Sequence, residues 1–298
     1  MKKINVVILG GGGLLGSNLS KNINKTFEIY SYSKNKININ QINKLKNIII
    51  KTKPDYLINC AAYTDVDKCE NNIKEAYKIN SLGPKKISLL CKKFNITLIH
   101  ISTDYVFNKK KIYKISEKEK ENPISVYGKS KLIGEKEIKK NLKKYIILRT
   151  SWLYGNKKNN FLNKIIKISK SKNLLNLISD QYSLPTNVIN LSRAIFAVIY
   201  KIHRDKNKNY YGTYHYSDAG RPISRYLFAK EIFNLMYKNK QKKVIINKIK
   251  SKFYYDKNIR PKNSALSSNK IYKIFVIKNI NWKYSLKSFI KSNKGYLL

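Results

Sequence analysis

The stretch "INVVILGGGGLLGSNLSKNI", residues 4–23, decides how this chain folds. A run of mostly β-branched apolar residues meets four glycines and passes into a helical pattern, which is the context that gives a glycine fingerprint meaning. Gly11, Gly13 and Gly16 fit G-x-G-x-x-G, while Gly10, Gly13 and Gly16 fit G-x-x-G-x-x-G. Under either reading the glycines permit a tight turn and a close backbone approach to a pyrophosphate, whose charge then sits at the helix N-terminus. The expectation is a strand, a phosphate loop and a helix.

The rest of the first half repeats that strand-to-helix rhythm. Short apolar runs at 4–9, 27–32, 55–60, 97–102 and 145–150 read as strands, and helical pattern fills about 14–24, 73–94 and 124–140. Such alternation predicts an α/β fold, a Rossmann-type doubly wound parallel sheet. Further strands are expected at 174–178 and 213–217, with less regularity after about 180. The predicted organisation is a dinucleotide-binding domain over 1–155 that takes back a segment near 187–203. A smaller interleaved C-terminal lobe, mainly 156–298, would hold the substrate.

Composition bounds the class. With 298 residues, 42% of them hydrophobic, the chain has enough apolar material for a sizeable core. The net charge of +45 raises the question of nucleic acid or an anionic membrane surface. Yet only six of the 62 basic residues are Arg, the side chain best suited to bidentate recognition of phosphates and bases. The lysines are spread along the chain among abundant Asn and Ile, whose codons are A/T-rich. Compositional drift explains this pattern better than a nucleic-acid partner does, and self-repulsion among the lysines predicts low stability. Three cysteines, at 60, 69 and 91, form no metal spacing and no even disulfide set, as expected of a reducing compartment. The basic-then-apolar start breaks into glycines without a cleavage signature, and no apolar run reaches the roughly 18–20 residues of a membrane span. A cytoplasmic enzyme is the expectation.

Ligands of open α/β sheets bind beyond the carboxyl ends of the strands. The second strand ends "YSYSK" without the acid that would hold an adenosine ribose. Ser33 and Lys34 there suit a 2′-phosphate, which favours NADPH with NADH as the alternative, although Lys34 alone also reads as one more surface lysine. The third strand ends "NCAAYTDVDKCE", where small Ala61 and Ala62 let backbone lie against a cofactor. The fourth ends "STDYVF" and places Thr103 just past its tip. In "NPISVYGKSKLIGEKEIKK", Pro123 fits a first helical turn with Asn122 as the cap, and Tyr127 and Lys131 then share one helix face. A phenol of pKa about 10 is a weak acid at neutral pH, and a nearby ammonium stabilises its phenolate. Thr103, Tyr127 and Lys131 therefore make a complete triad for protonating a carbonyl that accepts hydride. His100 and His203 read as structural, and His215 stays open.

Taken together, the glycine loop, "NCAAYTDVDKCE", "STDYVF", "YGKSKLIGE", "RTSWLYG", "DQYSLPT" and the later "RPKNSALSSNK" resemble the extended short-chain dehydrogenase/reductases, and within them the branch acting on dTDP-4-dehydro-L-rhamnose. The resemblance implies reduction of that sugar's 4-keto group by a reduced nicotinamide, giving dTDP-L-rhamnose for cell-surface polysaccharide. It implies Tyr127 as proton donor, Thr103 and Lys131 as its catalytic partners, and Lys131 as a holder of the nicotinamide ribose. It puts Gly10, Gly13, Leu14, Leu15, Gly16, Asn38, Ile39, Ala61, Ala62 and Tyr63 against the cofactor, and Asp104, Tyr105 and Trp152 around the sugar. Asn38 stands where the family commonly has an Asp. Some relatives dimerise around magnesium held by acids, but Asn18 occupies one such position here, so no metal residue is assigned and a monomer or a homodimer is expected. Two other readings stay open: a reductase of another nucleotide-4-ketosugar, and a non-catalytic binding member of the same fold.

Overall fold

The computed structural model describes residues 3–21, 25–157, 160–237, 244–253, 260–278 and 280–293. Five strands carry the first half: β1 (Ile4–Leu9), β2 (Phe27–Tyr32), β3 (Tyr56–Asn59), β4 (Thr97–Thr103) and β5 (Tyr145–Thr150). They pair in parallel in the order β5, β4, β3, β1, β2, and the strand Gly212–Tyr216 adds to the free side of β5, also in parallel. Chain direction across the sheet therefore reverses between β1 and β3. The crevice at that switch point is where such sheets bind ligands.

Alternation along β1 explains why both faces are covered. Val6 and Ile8 point into one cluster with Leu15, Leu19, Leu191 and Ile195, so the helix Val188–Arg204 packs on that face. Val7 and Leu9 point into the other, with Leu45, Ile49, Ile87, Leu90 and Ile138 from the helices Ile42–Thr52, Gly83–Lys93 and Val126–Asn141. Strands buried on both sides must be apolar throughout, which is why the early runs lack polar alternation. Each fully buried Leu, Ile or Val contributes roughly 1.5–3 kcal/mol of transfer free energy.

A third cluster lies in the second half and is built around aromatic rings. Phe228 touches Trp152, Tyr154, Phe161 and Trp282, and Tyr154 packs edge-on against Phe289. Small two-stranded sheets frame it, one of them pairing Leu174–Ile178 with Ile245–Ile249 in parallel. The expected strand at 174–178 exists but belongs to this side sheet, whereas the one near 213–217 joins the main sheet beside β5. The Asn269–Phe275 helix also returns to the main sheet, putting Ile271 and Phe275 among its core residues. No described helix is long and apolar enough to cross a membrane.

Two local expectations need correction. The helix expected over 73–94 is broken by a π-helical segment, Lys78–Leu82, between Ile73–Tyr77 and Gly83–Lys93. Asn122 does not cap the Tyr127 helix. Ser125 does, accepting from the Gly128 N–H at 3.1 Å, while Asn122 exchanges hydrogen bonds with Asn108. Pro123 precedes the cap, because the chain runs extended for two more residues before turning helical.

Candidate active site

The glycine loop assigns its own roles. Gly10 has φ +80°, a left-handed conformation that suits glycine, and it lies against the Cys60–Ala61 backbone. A Cβ on Gly16 would overlap the Gly10 carbonyl, and Gly13 begins the Leu14–Leu19 helix with its N–H bonded to Gly10 O at 2.9 Å. The reading built on Gly10, Gly13 and Gly16 therefore describes the turn. Leu15 faces the core, so it offers backbone rather than side chain to a ligand. Ser33 lies against Gly12, and exposed Lys34 follows it.

Across the switch point, the loop after β3 is held from below. Asn59 Oδ1 accepts from the Ala61 N–H at 3.1 Å. Asn80, in the π-helical turn, clamps Tyr63 by accepting from its N–H at 2.9 Å and donating to its carbonyl at 3.1 Å. The same Asn80 amide reaches Ser130 Oγ at 3.1 Å and so ties this loop to the Tyr127 helix. Asn38 and Ile39 sit farther along the chain in a turn. Asn38 Oδ1 accepts from the Asn40 N–H, and Ile39 is a core residue pressed on Gly83.

Tyr127 and Lys131 both face the carboxyl-terminal half of β4, Tyr127 beside Thr103 and Lys131 at His100 and Ile101. The phenol of Tyr127 lies beside Thr103, and its ring packs edge-on against Tyr105 at 5.6 Å. Burial raises the Tyr127 pKa above the ordinary phenol value, against the lowering contributed by Thr103. The sequence reading has a nearby ammonium lower this pKa; in the structure burial dominates and raises it. Lys131 donates to the Ile101 carbonyl at 2.6 Å and contacts His100 Nε2 at 3.3 Å. Burial lowers its pKa to about 8.

Asp104 is a buried hub. Its Oδ1 accepts from Thr103 Oγ1 at 3.1 Å, and its Oδ2 accepts from Ser183 at 3.0 Å and Ser264 at 2.6 Å. Both serines come from the second half of the chain, so this carboxylate joins the lobe to the tip of β4. Burial pushes it up to about 6 despite those three donors. Tyr105 Oη receives a bond from Arg260, whose other nitrogen binds Asp67 at 2.6 Å. Trp152 has φ +39°, costly for a bulky residue, and its ring lies under the Arg225 guanidinium at 4.6 Å. Strain of this kind is retained where surrounding structure over-determines it, here beside the lobe's aromatic cluster.

Beneath the triad lies a charged network that the sequence did not reveal. Arg149, fully buried on β5, grips Glu135 through Nε at 2.9 Å and Nη2 at 2.6 Å, and Ser102 donates to the same carboxylate at 2.5 Å. Glu135 follows Lys131 by one helical turn. His215 is buried against Phe107 and Arg149, and His203 lies near the Tyr56 ring. Asn18 spends its amide on Leu14 O.

Comparison with known proteins matches this architecture from end to end. The family described as "RmlD substrate binding domain" matches residues 4–294. A dTDP-4-dehydrorhamnose reductase of Aggregatibacter actinomycetemcomitans is 33% identical over 95% of this chain and 97% of its own. A Bacillus anthracis dTDP-4-dehydrorhamnose reductase solved in complex with NADP superposes with TM-score 0.90 at 32% identity, covering 98% of this chain and 100% of that one. A Clostridium acetobutylicum dTDP-4-dehydrorhamnose reductase structure gives TM-score 0.88 at 34% identity with equal coverage. The chain belongs to the dTDP-4-dehydrorhamnose reductase family.

Proposed function

We propose that this protein reduces the 4-keto group of dTDP-4-dehydro-L-rhamnose to dTDP-L-rhamnose with NADPH, using Tyr127 as proton donor beside Thr103 and Lys131. The observation that carries the residue assignment is that Tyr127 and Lys131 both face the carboxyl-terminal half of β4, which ends at Thr103 one strand from the switch point. NADPH fits the crevice: a Cβ on Gly10 or Gly16 would fill the loop, and Ser33 stands beside Gly12, followed by exposed Lys34, where a 2′-phosphate would lie. When bound, the reduced nicotinamide supplies the hydride.

The chain's own groups do the rest. Gly10, Gly13, Leu14, Leu15 and Gly16 offer loop and helix backbone to the pyrophosphate, and Ala61, Ala62 and Tyr63 bound the other wall of the crevice. Asn38 and Ile39 shape the adenine end, the latter from within the core. Tyr127, protonated at neutral pH, gives its proton to the sugar oxygen as negative charge gathers there. The Lys131 ammonium stabilises the phenolate left behind and holds the nicotinamide ribose. Thr103 orients the carbonyl. Asp104 keeps Thr103 in place and Tyr105 and Trp152 border the sugar, with the lobe closing over them. The dinucleotide-binding part comprises 1–155 with the helix near 187–203, and most of 156–298 serves the sugar. All of these residues come from one chain, which we place in the cytoplasm as a monomer or homodimer with no nucleic-acid or membrane partner.

The test follows NADPH absorbance with dTDP-4-dehydro-L-rhamnose made in situ from dTDP-glucose by the upstream dehydratase and epimerase. Substrate-dependent oxidation that Tyr127→Phe loses while still binding NADPH is the expected result. Undiminished oxidation by Tyr127→Phe would overturn the residue assignment. Cofactor binding without turnover would point to another ketosugar or to a non-catalytic role.

A further inference from the structure

Asn59, His100 and Lys131 form a buried row in which two donors face the single acceptor of one imidazole. Asn59 and His100 are register partners on β3 and β4, and all three side chains are buried, at 1%, 0% and 1% exposure. The amide orientation of Asn59 follows from chemistry, because the Ala61 N–H can only donate and Oδ1 must receive it. The Asn59 NH2 therefore faces His100 Nδ1, at 3.1 Å.

His100 is neutral, since burial and the Lys131 charge both push its pKa well below the usual value. A neutral imidazole has one donor and one acceptor. The Asn59 NH2 and the Lys131 ammonium compete for that acceptor, and Lys131 already donates to the Ile101 carbonyl; with Asn59 on Nδ1 the proton resides on Nε2 and points at Lys131 Nζ, 3.3 Å away. An ammonium is also a donor only. Two N–H groups thus oppose each other while Lys131 is charged, and the opposition disappears when Lys131 loses a proton and offers a lone pair.

We propose that Asn59, acting through the Nε2–H tautomer of His100, is a positioning residue that weakens the hold of Lys131 on its proton and so sets the alkaline limit of the reaction. The proposal rests on the reading that the Lys131 charge supports Tyr127. The other groups around the lysine do not produce this effect. Glu135, one turn along the same helix, favours the ammonium, and its charge is shared with Arg149 from β5 and Ser102 from β4. Cys60, at the end of β3, is pushed up to about 12 by burial and stays a neutral thiol. Tyr127 keeps its proton, and the Ile101 carbonyl favours the ammonium. His100 is the one group facing Lys131 among these that opposes its charge by hydrogen-bond geometry.

The tautomer is directly readable, because the chain has only three histidines. A long-range proton–nitrogen correlation spectrum of the full-length protein, with the His100 signal assigned by its loss in His100→Phe, is expected to show His100 protonated at Nε2. Asn59→Asp keeps an acceptor for Ala61 and presents a second one to Nδ1, so the proton should move to Nδ1. Asn59→Ala removes the opposing donor without adding charge. In both variants the alkaline limb of kcat/KM should move up, by about one pH unit or more in Asn59→Asp, a tenfold change in proton affinity. A merely structural role would lower melting temperature or kcat and leave the limb in place. An Nδ1–H signal in the parent protein overturns the proposal, and so does an unmoved limb in folded Asn59→Ala and Asn59→Asp. If Tyr127→Phe kept full activity, the underlying catalytic reading would fail instead, whatever the limb did.

Discussion

Two strands expected from similar short runs, Leu174–Ile178 and Gly212–Tyr216, ended in different places. One pairs in a side sheet of the lobe, and the other extends the main sheet beside β5. In the first half no such divergence occurs: five expected strands match β1 to β5 to within a residue at each end. The difference teaches what the pattern of a chain encodes. Apolar runs and glycine turns specify a strand locally, and between β1 and β5 the regular alternation with helices also specifies its neighbours. Past residue 180 the chain crosses repeatedly between sheet and lobe, and partner choice depends on contacts distant in sequence.

If the halves divide the work between cofactor and sugar, substitutions in each should separate. The largest effect is expected from Tyr127→Phe, which should lower kcat about 10²–10⁴-fold with NADPH affinity kept, as titration of cofactor fluorescence would show. Arg149→Met should destabilise the sheet half by about 3–5 kcal/mol, because Glu135 is left as an uncompensated buried charge. Chemical denaturation would measure it. Phe228→Ala, at the centre of the lobe's ring cluster, should also cost about 3–5 kcal/mol. It should raise KM for the sugar more than Kd for NADPH, and equal losses of both would break the division.

The pH profile sharpens the same contrast. Lys131, with its pKa lowered to about 8 by burial, loses its charge as pH rises through that value, so kcat/KM should fall above about 8. Asp104, raised to about 6 by burial, gains a proton as pH falls through that value. A carboxylic acid must itself donate, so it no longer accepts from all three hydroxyls, and activity should also fall below about 6. Asp104→Asn should remove the acid limb and leave the alkaline one. The smallest effect is the cap: Ser125→Ala should cost about 1 kcal/mol and Asn122→Ala less, since Asn122 holds the Asn108 turn instead.

The site was legible where spacing carries chemistry. Tyr127 and Lys131 lie one helical turn apart, and Thr103 stands at a strand end, so each could be named from the chain, and both helix residues face β4. Asp104 was legible as a neighbour of the site, but not as the carboxylate that ties Ser183 and Ser264 to Thr103. Asn59, Asn80, Glu135 and Arg149 were missed because their partners come from other elements. Asn80 to Ser130 spans 50 residues and Asn59 to His100 spans 41, distances at which no sequence period survives. His100 looked structural because a histidine inside a strand gives no sign of the lysine that will pack beneath it.

Transfer of label tests the central claim most directly. Nicotinamide cofactor carrying deuterium as its transferable hydride would be turned over with dTDP-4-dehydro-L-rhamnose, and the dTDP-sugar product examined by proton NMR. The account predicts deuterium at C4 of dTDP-L-rhamnose with the native protein, and labelled product formed about 10²–10⁴-fold more slowly with Tyr127→Phe. Labelled product formed equally by Tyr127→Phe, or cofactor oxidised with no deuterium at C4, would contradict it.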